Sequence, residues 1–299
     1  MSAVLSQRLG SFQRNAPLGI RFWDLAGGTS IVEGLDVQVF PAANPQARRR
    51  LRRNANDVYT AIDVAGQRAF ERMVASPRDL PWWQGTGSPA PTYRVEVTDP
   101  LGRFLPMGFD VDLPQPGLLD VSSFMPGGAP ALPLWPDDNP ASPTTLAGKV
   151  PLFSAPSRAV PSPLAVVYAQ MRVQGSLEIP AWTLLGASIA DQLCGLGLAD
   201  TQGRVAVMFP YPNPPAEPLT SPSVAQFDFR WTVTLQAWRA TTLAAPDLAD
   251  ILGQLASPCP VIDAVSGPAT PRRLEYRIPL TARTEAQPPA DASFLLLSA

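Results

Sequence analysis

Histidine is absent from the 299 residues. Its absence excludes serine and cysteine triads of the usual kind, histidine-ligated zinc and histidine general bases. Two cysteines, Cys194 and Cys259, are too few for a disulfide framework and stand at no metal-ligating spacing. Both read as small buried hydrophobes in a reducing compartment. Lysine occurs once, as Lys149, and charged residues make up only 16% of the chain, against roughly 25% in an average domain. No run approaches the roughly 18 consecutive apolar residues of a membrane span, so no membrane insertion is expected. The opening residues lack the basic start, apolar core and small-residue cleavage site of a secretory signal. The chain is therefore read as made in the cytoplasm. No phosphate-binding glycine loop or dinucleotide fingerprint is present, and no cofactor is expected.

What is abundant is proline, 36 residues, beside a 45% apolar fraction that suffices for folded cores. A folded surface with few charges suits coverage by protein partners, and a net charge of −2 offers no general attraction to nucleic acid or anionic membrane.

Period-two alternation dominates. It is visible in 18–24 (LGIRFWD), 35–41 (LDVQVFP), 92–99 (TYRVEVTD) and 104–114 (FLPMGFDVDLP), with further strand-length pieces at 47–54, 57–66 and 68–74. A second set follows at 164–173, 181–189, 203–211 and 226–238, and the chain closes with 272–280 and 293–298. Short alternating strands between turn signals are the pattern of β-sandwiches. Residues 200–203 (DTQG) predict a hairpin-like turn with Gly203 at positive φ. Only 245–258 has a helical stripe, with Leu248, Ile251, Leu252 and Leu255 at i, i+3, i+4 and i+7 and Pro258 beyond its end.

The expected fold is all-β: two Ig-like or prealbumin-like β-sandwiches joined by a long Pro-rich connection, with one short C-terminal helix. The expected divisions are an N-terminal arm at 1–15, a first sandwich at 16–116, an extended connection at 117–160 and a second sandwich at 161–243. Residues 244–299 supply a helix and strands that pack on the second sandwich. The connection carries Leu118, Leu119, Phe124, Met125, Leu134, Trp135, Leu152 and Phe153. Leaving each such group in water costs about 1.5–3 kcal/mol relative to burial, so the connection is expected to pack against a domain or a neighbouring subunit.

Two stretches carry a family resemblance. NDVYTAIDVAG (56–66) resembles the Gly-Tyr strand and following turn of carboxypeptidase-regulatory-like and transthyretin-like sandwiches, with Asp57 where a glycine is usual. LADTQGRVAVMFPYP (198–212) resembles their Asp-x-x-Gly turn and strand. The pairing of GIRFWDLAGGTSIVEGLDVQVFP (19–41) with the later GRVAVMFPYP (203–212) is similar to tandem proteins of this type encoded with phage-tail-like contractile particles. The resemblance implies a non-enzymatic structural or assembly subunit of such a particle, at the baseplate or another accessory position.

Candidate contact residues fall in two groups. Arg48, Arg49, Arg50, Arg52 and Arg53 put five arginines in six residues. They read as a charged strand edge that discourages pairing, as a surface for an acidic partner, or as phosphate contacts; nucleic acid is not expected. Trp82 and Trp83, in a Pro/Gly-rich loop, with Trp135 and Phe124 in the connection, read as interface anchors or as core plugs. Paired tryptophans also suit stacking on sugars, which makes a carbohydrate- or cell-envelope-binding module the alternative function. Asp110 with Asp112, and Asp137 with Asp138, are the only paired carboxylates with any catalytic or cation-binding reading; solvated strand and turn carboxylates are the plainer one. The expected partners are other protein subunits, and no enzyme activity is expected.

Overall fold

The computed structural model describes residues 16–67, 91–115, 117–127, 129, 132, 148–162, 164–176, 178–211, 230–240, 243–259, 261–262, 275–279, 284–285 and 295–297. The fold is all-β, and the described residues form several sheets, no barrel and one short helix near the C-terminus.

The first strand set follows the alternation in the sequence. Asp36–Pro41, Thr92–Thr98 and Met107–Asp112 pair antiparallel, and Arg49–Arg50 adds at the outer side of Asp36–Pro41. Their inward residues Val37, Val39, Tyr93, Val95, Val97 and Phe109 are all at most 2% exposed. The same core takes in Leu18 and, from two smaller sheets, Ile20 and Phe22; Gly19–Ile20 pairs there with Tyr59–Thr60 and Phe22–Asp24 with Thr29–Ser30. Phe22 meets Tyr59 edge to face at 5.2 Å between centroids, an arrangement that aromatic quadrupoles favour.

Both described ends of the Pro-rich connection belong to this core. Leu119 donates its amide to the Gly19 carbonyl, and Val150–Leu152 pairs in parallel with Phe22–Asp24. Leu119, Leu152 and Phe153 are buried, and Phe124 and Met125 pack against the cluster. The apolar residues of the connection that are described here thus cover their own chain. Leu134 lies outside the described residues.

The second set is built on Leu164–Val173, which pairs with Arg204–Pro210, Thr284–Glu285 and Leu295–Leu297. A second sheet joins Gln192–Leu198, Leu184–Ile189, Arg230–Trp238 and Glu275–Pro279, with Pro258–Cys259 alongside Trp238. Ala165, Val167, Met171, Leu185, Val207, Phe209, Val233 and Leu235 fill the space shared by these sheets. The run Leu164–Val167 is apolar without alternation because both faces are covered: Leu164 and Val166 join Ala206, Met208 and, from the first set, Ala26.

A turn recurs in the two sets. Asp99 accepts from the amides of Leu101 at 3.2 Å and Arg103 at 2.8 Å, and Gly102 (φ 66°) donates to the Asp99 carbonyl. Asp200 accepts from Gln202 at 2.8 Å and Arg204 at 2.9 Å, and Gly203 (φ 73°) donates to the Asp200 carbonyl. In both, the arginine after the glycine returns its Nε to the aspartate, at 3.0 and 2.9 Å. Gly203 therefore has the conformation expected of it. The turn at 200–203 is not a simple hairpin, since the strands on either side lie in different sheets and the chain crosses from one to the other there.

The helix runs Leu248–Gly253, capped by the Asp247 carboxylate on the Ala249 amide at 3.0 Å, and tightens into a 3₁₀ turn at Gln254–Ala256. The sequence pattern seats it on the second set; in the structure Leu248, Ile251, Leu252 and Leu255 enter the first core cluster, together with Trp182, Leu184, Leu196, Leu198 and Trp238. The helix is a wedge shared by both sets.

Candidate functional site

RRRLRR is a strand that changes sheets at its single apolar residue. Arg49 and Arg50 pair with Val39 and Gln38, whereas Arg52 and Arg53 pair with Thr60 and Tyr59 in another sheet. Between them Leu51 turns inward, 3% exposed, and its amide bonds to the Val37 carbonyl at 2.9 Å. The outward guanidinium groups meet local partners. Arg48 pairs with Glu96 and lies over the Phe40 ring at 4.2 Å. Arg50 Nε is 2.8 Å from Asp36 Oδ1, an ion pair out of hydrogen-bond alignment. Arg53 pairs with Asp57, and Arg49 donates to the Asp63 carbonyl at 3.3 Å. Asp57 itself has φ 59°, the left-handed region where glycine is usual. These cations are thus spent largely on neighbouring acceptors.

Phe124 sits elsewhere, in a cavity of about 300 Å³ also lined by Thr92, Asp110, Asp112, Leu119 and Asp120. Strand Met107–Asp112 presents Asp110 and Asp112 outward because period two sends Phe109 and Val111 into the core. Each carboxylate has a protein partner. Asp110 accepts from Arg94 at 3.1 Å, Asp112 from the Thr92 hydroxyl at 2.8 Å and Asp120 from the Ser122 amide at 2.9 Å. The last bond fixes the 3₁₀ turn Ser122–Phe124 and so sets the position of the half-buried phenyl ring. Acidic walls beside Phe124 and Leu119 suit the cationic head and aliphatic stem of an arginine or lysine from another chain. Among the described residues no group of three His, Cys, Asp or Glu side chains is placed to hold a metal ion. Trp82, Trp83, Trp135, Asp137 and Asp138 lie outside the described residues.

Beside the cavity is an arrangement with no signal in the sequence. Arg94 bridges Asp110 and Asp247, the latter 153 residues away. Burial alone would make the Arg94 proton easier to lose; hydrogen bonds to Asp247 and Asp110 outweigh it, and the net effect holds the guanidinium charged still more firmly. A second long-range pair, Asp24 with Arg158, is more deeply set, with side chains 9% and 8% exposed. Arg158 donates to both Asp24 oxygens and, at 2.8 Å, to Ser154 Oγ, so the pair is forked and tied to a third group. Spacing along the chain does not reveal either pair, because each joins residues more than a hundred positions apart.

Neither cysteine is in a disulfide, and both are half-buried. Cys194 donates its thiol to the Ala187 carbonyl at 3.1 Å, and burial pushes it up to about 12.

No family model matches the chain, and no curated protein matches it. The chain is similar over 96% of its length to the whole of a crystal structure from Bacteroides ovatus, provisionally assigned as an adhesin, at 11% identity and a TM-score of 0.18. A likeness that loose carries no argument about fold or function.

Proposed function

We propose that this chain is a non-enzymatic structural subunit of a large protein assembly, of the phage-tail-like contractile kind, at the baseplate or another accessory position. The observation that carries this reading is the continuity of the first core. It contains residues of the first strand set, both described ends of the Pro-rich connection, the helix, and Trp182, Leu184, Leu196, Leu198 and Trp238 of the second set. Close-packed interiors transmit strain rather than absorb it, so two sandwiches sharing one core form a stiff spacer. Partners are other protein subunits, met by shape and by aromatic anchors. The Phe124 cavity supplies one such seat, for a basic side chain.

The test is incorporation. A tagged chain expressed with its neighbouring genes should co-sediment with intact particles and appear at a fixed position by electron microscopy. Particles that form normally while the tagged chain stays entirely in the unassembled fraction would overturn the reading. Phe124→Ala, in a folded variant, should lower the incorporated fraction, since it removes one wall of the seat for the basic side chain.

A further inference from the structure

Beside the Phe124 cavity the first four-stranded sheet has an open edge. Strand Met107–Asp112 lies outermost in that sheet, and its Gly108 amide points away from it, to the Pro246 carbonyl at 2.9 Å. Antiparallel pairing alternates, so Asp110 and Asp112 also turn their amides and carbonyls outward. Among the described residues neither of these amides meets a backbone acceptor. Such an edge invites a further extended segment. The same two residues wall the cavity with Gln115, Leu119, Asp120 and Phe124, so a segment added here would carry its side chains past three carboxylates and a phenyl ring. One segment of the chain is already brought to this place. The Gln115 amide donates to the Pro17 carbonyl at 2.8 Å. Three residues back from that bond stand Asp112 on one side and Arg14 on the other, and three extended residues span about 10 Å. Residues 1–15 lie outside the described residues. Their only charged side chains are Arg8 and Arg14, so this arm is cationic opposite an acidic wall.

We propose that the N-terminal arm docks on this edge of its own chain, residues 12–15 extending the sheet as a short added strand and the Arg14 guanidinium entering the cavity between Asp110, Asp112 and Asp120. Main-chain groups of the arm then complete the outward amides and carbonyls of Asp110 and Asp112. The three carboxylates have spare acceptor capacity, because their bonds to Arg94, the Thr92 hydroxyl and the Ser122 amide leave further lone pairs open. The arginine head suits the Phe124 ring and its stem suits Leu119. Tethering selects this occupant: a segment joined three residues away is present at roughly millimolar effective concentration, whereas a second copy or another subunit has to be supplied from solution. A neighbouring subunit's basic side chain reaches the seat only by displacing the arm. The contact goes beyond the particle reading and is measured on the isolated full-length chain, so its failure leaves that reading standing.

The experiment is amide hydrogen exchange on the full-length chain and on Arg14→Glu. The Asp110 and Asp112 amides should be protected in wild type and exchange at least about tenfold faster in the variant, while Val95, on the next strand inward, keeps its rate. Free exchange at Asp110 and Asp112 in wild type would overturn the docking. Protection that survives Arg14→Glu would give the edge to another segment and overturn it equally. A second measurement uses Arg14→Lys, whose amine can be coupled to a touching carboxylate by a zero-length carbodiimide, in an equal mixture of unlabelled and heavy-nitrogen-labelled chains. Links from position 14 to Asp110, Asp112 or Asp120 should join peptides of the same isotope. Links of mixed isotope would make the occupant a second copy, and the absence of links to these three carboxylates would remove the arm from the cavity.

Discussion

Asp99 and Asp200 do the same work in the two strand sets, each gathering the amides of a four-residue turn and the guanidinium that follows it. Asp99 is the more buried, its side chain 1% exposed against 11%. Burial alone would raise its pKa, but hydrogen bonds from the Arg103 side chain and from the Arg103 and Leu101 amides prevail and hold it below 3.8. A carboxyl depressed in the folded state stabilises above its unfolded value, and that stabilisation is lost as pH falls through the folded one. Asp99→Asn should therefore cost about 2–3 kcal/mol at pH 7. Urea midpoints measured at intervals from pH 7 downward should show wild type and variant converging below pH 3.8. Cys194 works in the opposite direction. Its thiol is raised to about 12 in the folded state against 9.0 ordinarily, so the folded chain retains a proton that the unfolded chain releases. Stability present below pH 9.0 should decline as pH rises towards 12. Cys194→Ala should remove that part of the alkaline loss, and at pH 8 iodoacetamide should alkylate Cys194 far more slowly in folded than in urea-unfolded protein.

At the scale of the element, the five-arginine strand shows how an apolar residue outweighs its charged neighbours. Exposed ion pairs contribute only about 0–1 kcal/mol each, whereas truncating a buried leucine costs about 2–5 kcal/mol. Leu51→Ala should thus lower the urea midpoint well beyond Arg48→Gln or Arg53→Gln, and only the arginine effects should shrink with added salt. Equal effects would place the charges, not Leu51, at the centre of this strand. The sequence marks this segment as a charged strand but not as one that changes sheets, because Leu51 is a single residue with no periodicity of its own. Elements with a repeated pattern are legible: Asp36–Pro41 and the Leu248–Leu255 stripe lie where alternation and helical spacing put them. Val150–Leu152 is not, since a proline in its centre argues against a strand; it pairs in parallel with Phe22–Asp24 in a small mixed sheet of three strands. Gln192–Leu198 is hidden in the same way by two glycines, and both are explained by packing. A Cβ at Gly197 would come within 2.7 Å of the Ala206 carbonyl oxygen, and one at Gly195 within 3.0 Å of Phe209. Of the candidate contact residues, the arginines are legible as charged strand residues, but the cavity around Phe124 is not, because Thr92, Asp110 and Asp120 meet only through the fold.

On the scale of the whole molecule, the question is whether two strand sets unfold as one. Trp238 decides it. It belongs to a strand of the second set, pairing with Leu184 and Pro258, yet its ring enters the first core and is 4% exposed. The neighbouring strand makes room for the indole with Gly186, where a Cβ would stand 2.6 Å from Trp238 Cζ3. On the other side Ala26, in the turn after the Asp24–Arg158 pair, enters the apolar cluster of Leu164, Val166 and Met208. Contacts of this kind, with the helix stripe and Trp182 in the same first core, couple the sets, so wild type should unfold in a single cooperative transition although the chain is long enough for two cores. Trp238→Ala should cost about 3–5 kcal/mol and should leave the transition single, because Trp182, Leu184, Leu196, Leu198 and the helix stripe still lie in the first core. The measurement is urea unfolding followed both by far-ultraviolet circular dichroism and by hydrogen exchange at Val95 and Val167, one amide in each set. Coincident curves are expected in both, with the variant's shifted to lower urea. If Val95 and Val167 already part in wild type, the sets are independent bodies, and the stiffness on which the structural-subunit reading rests is lost.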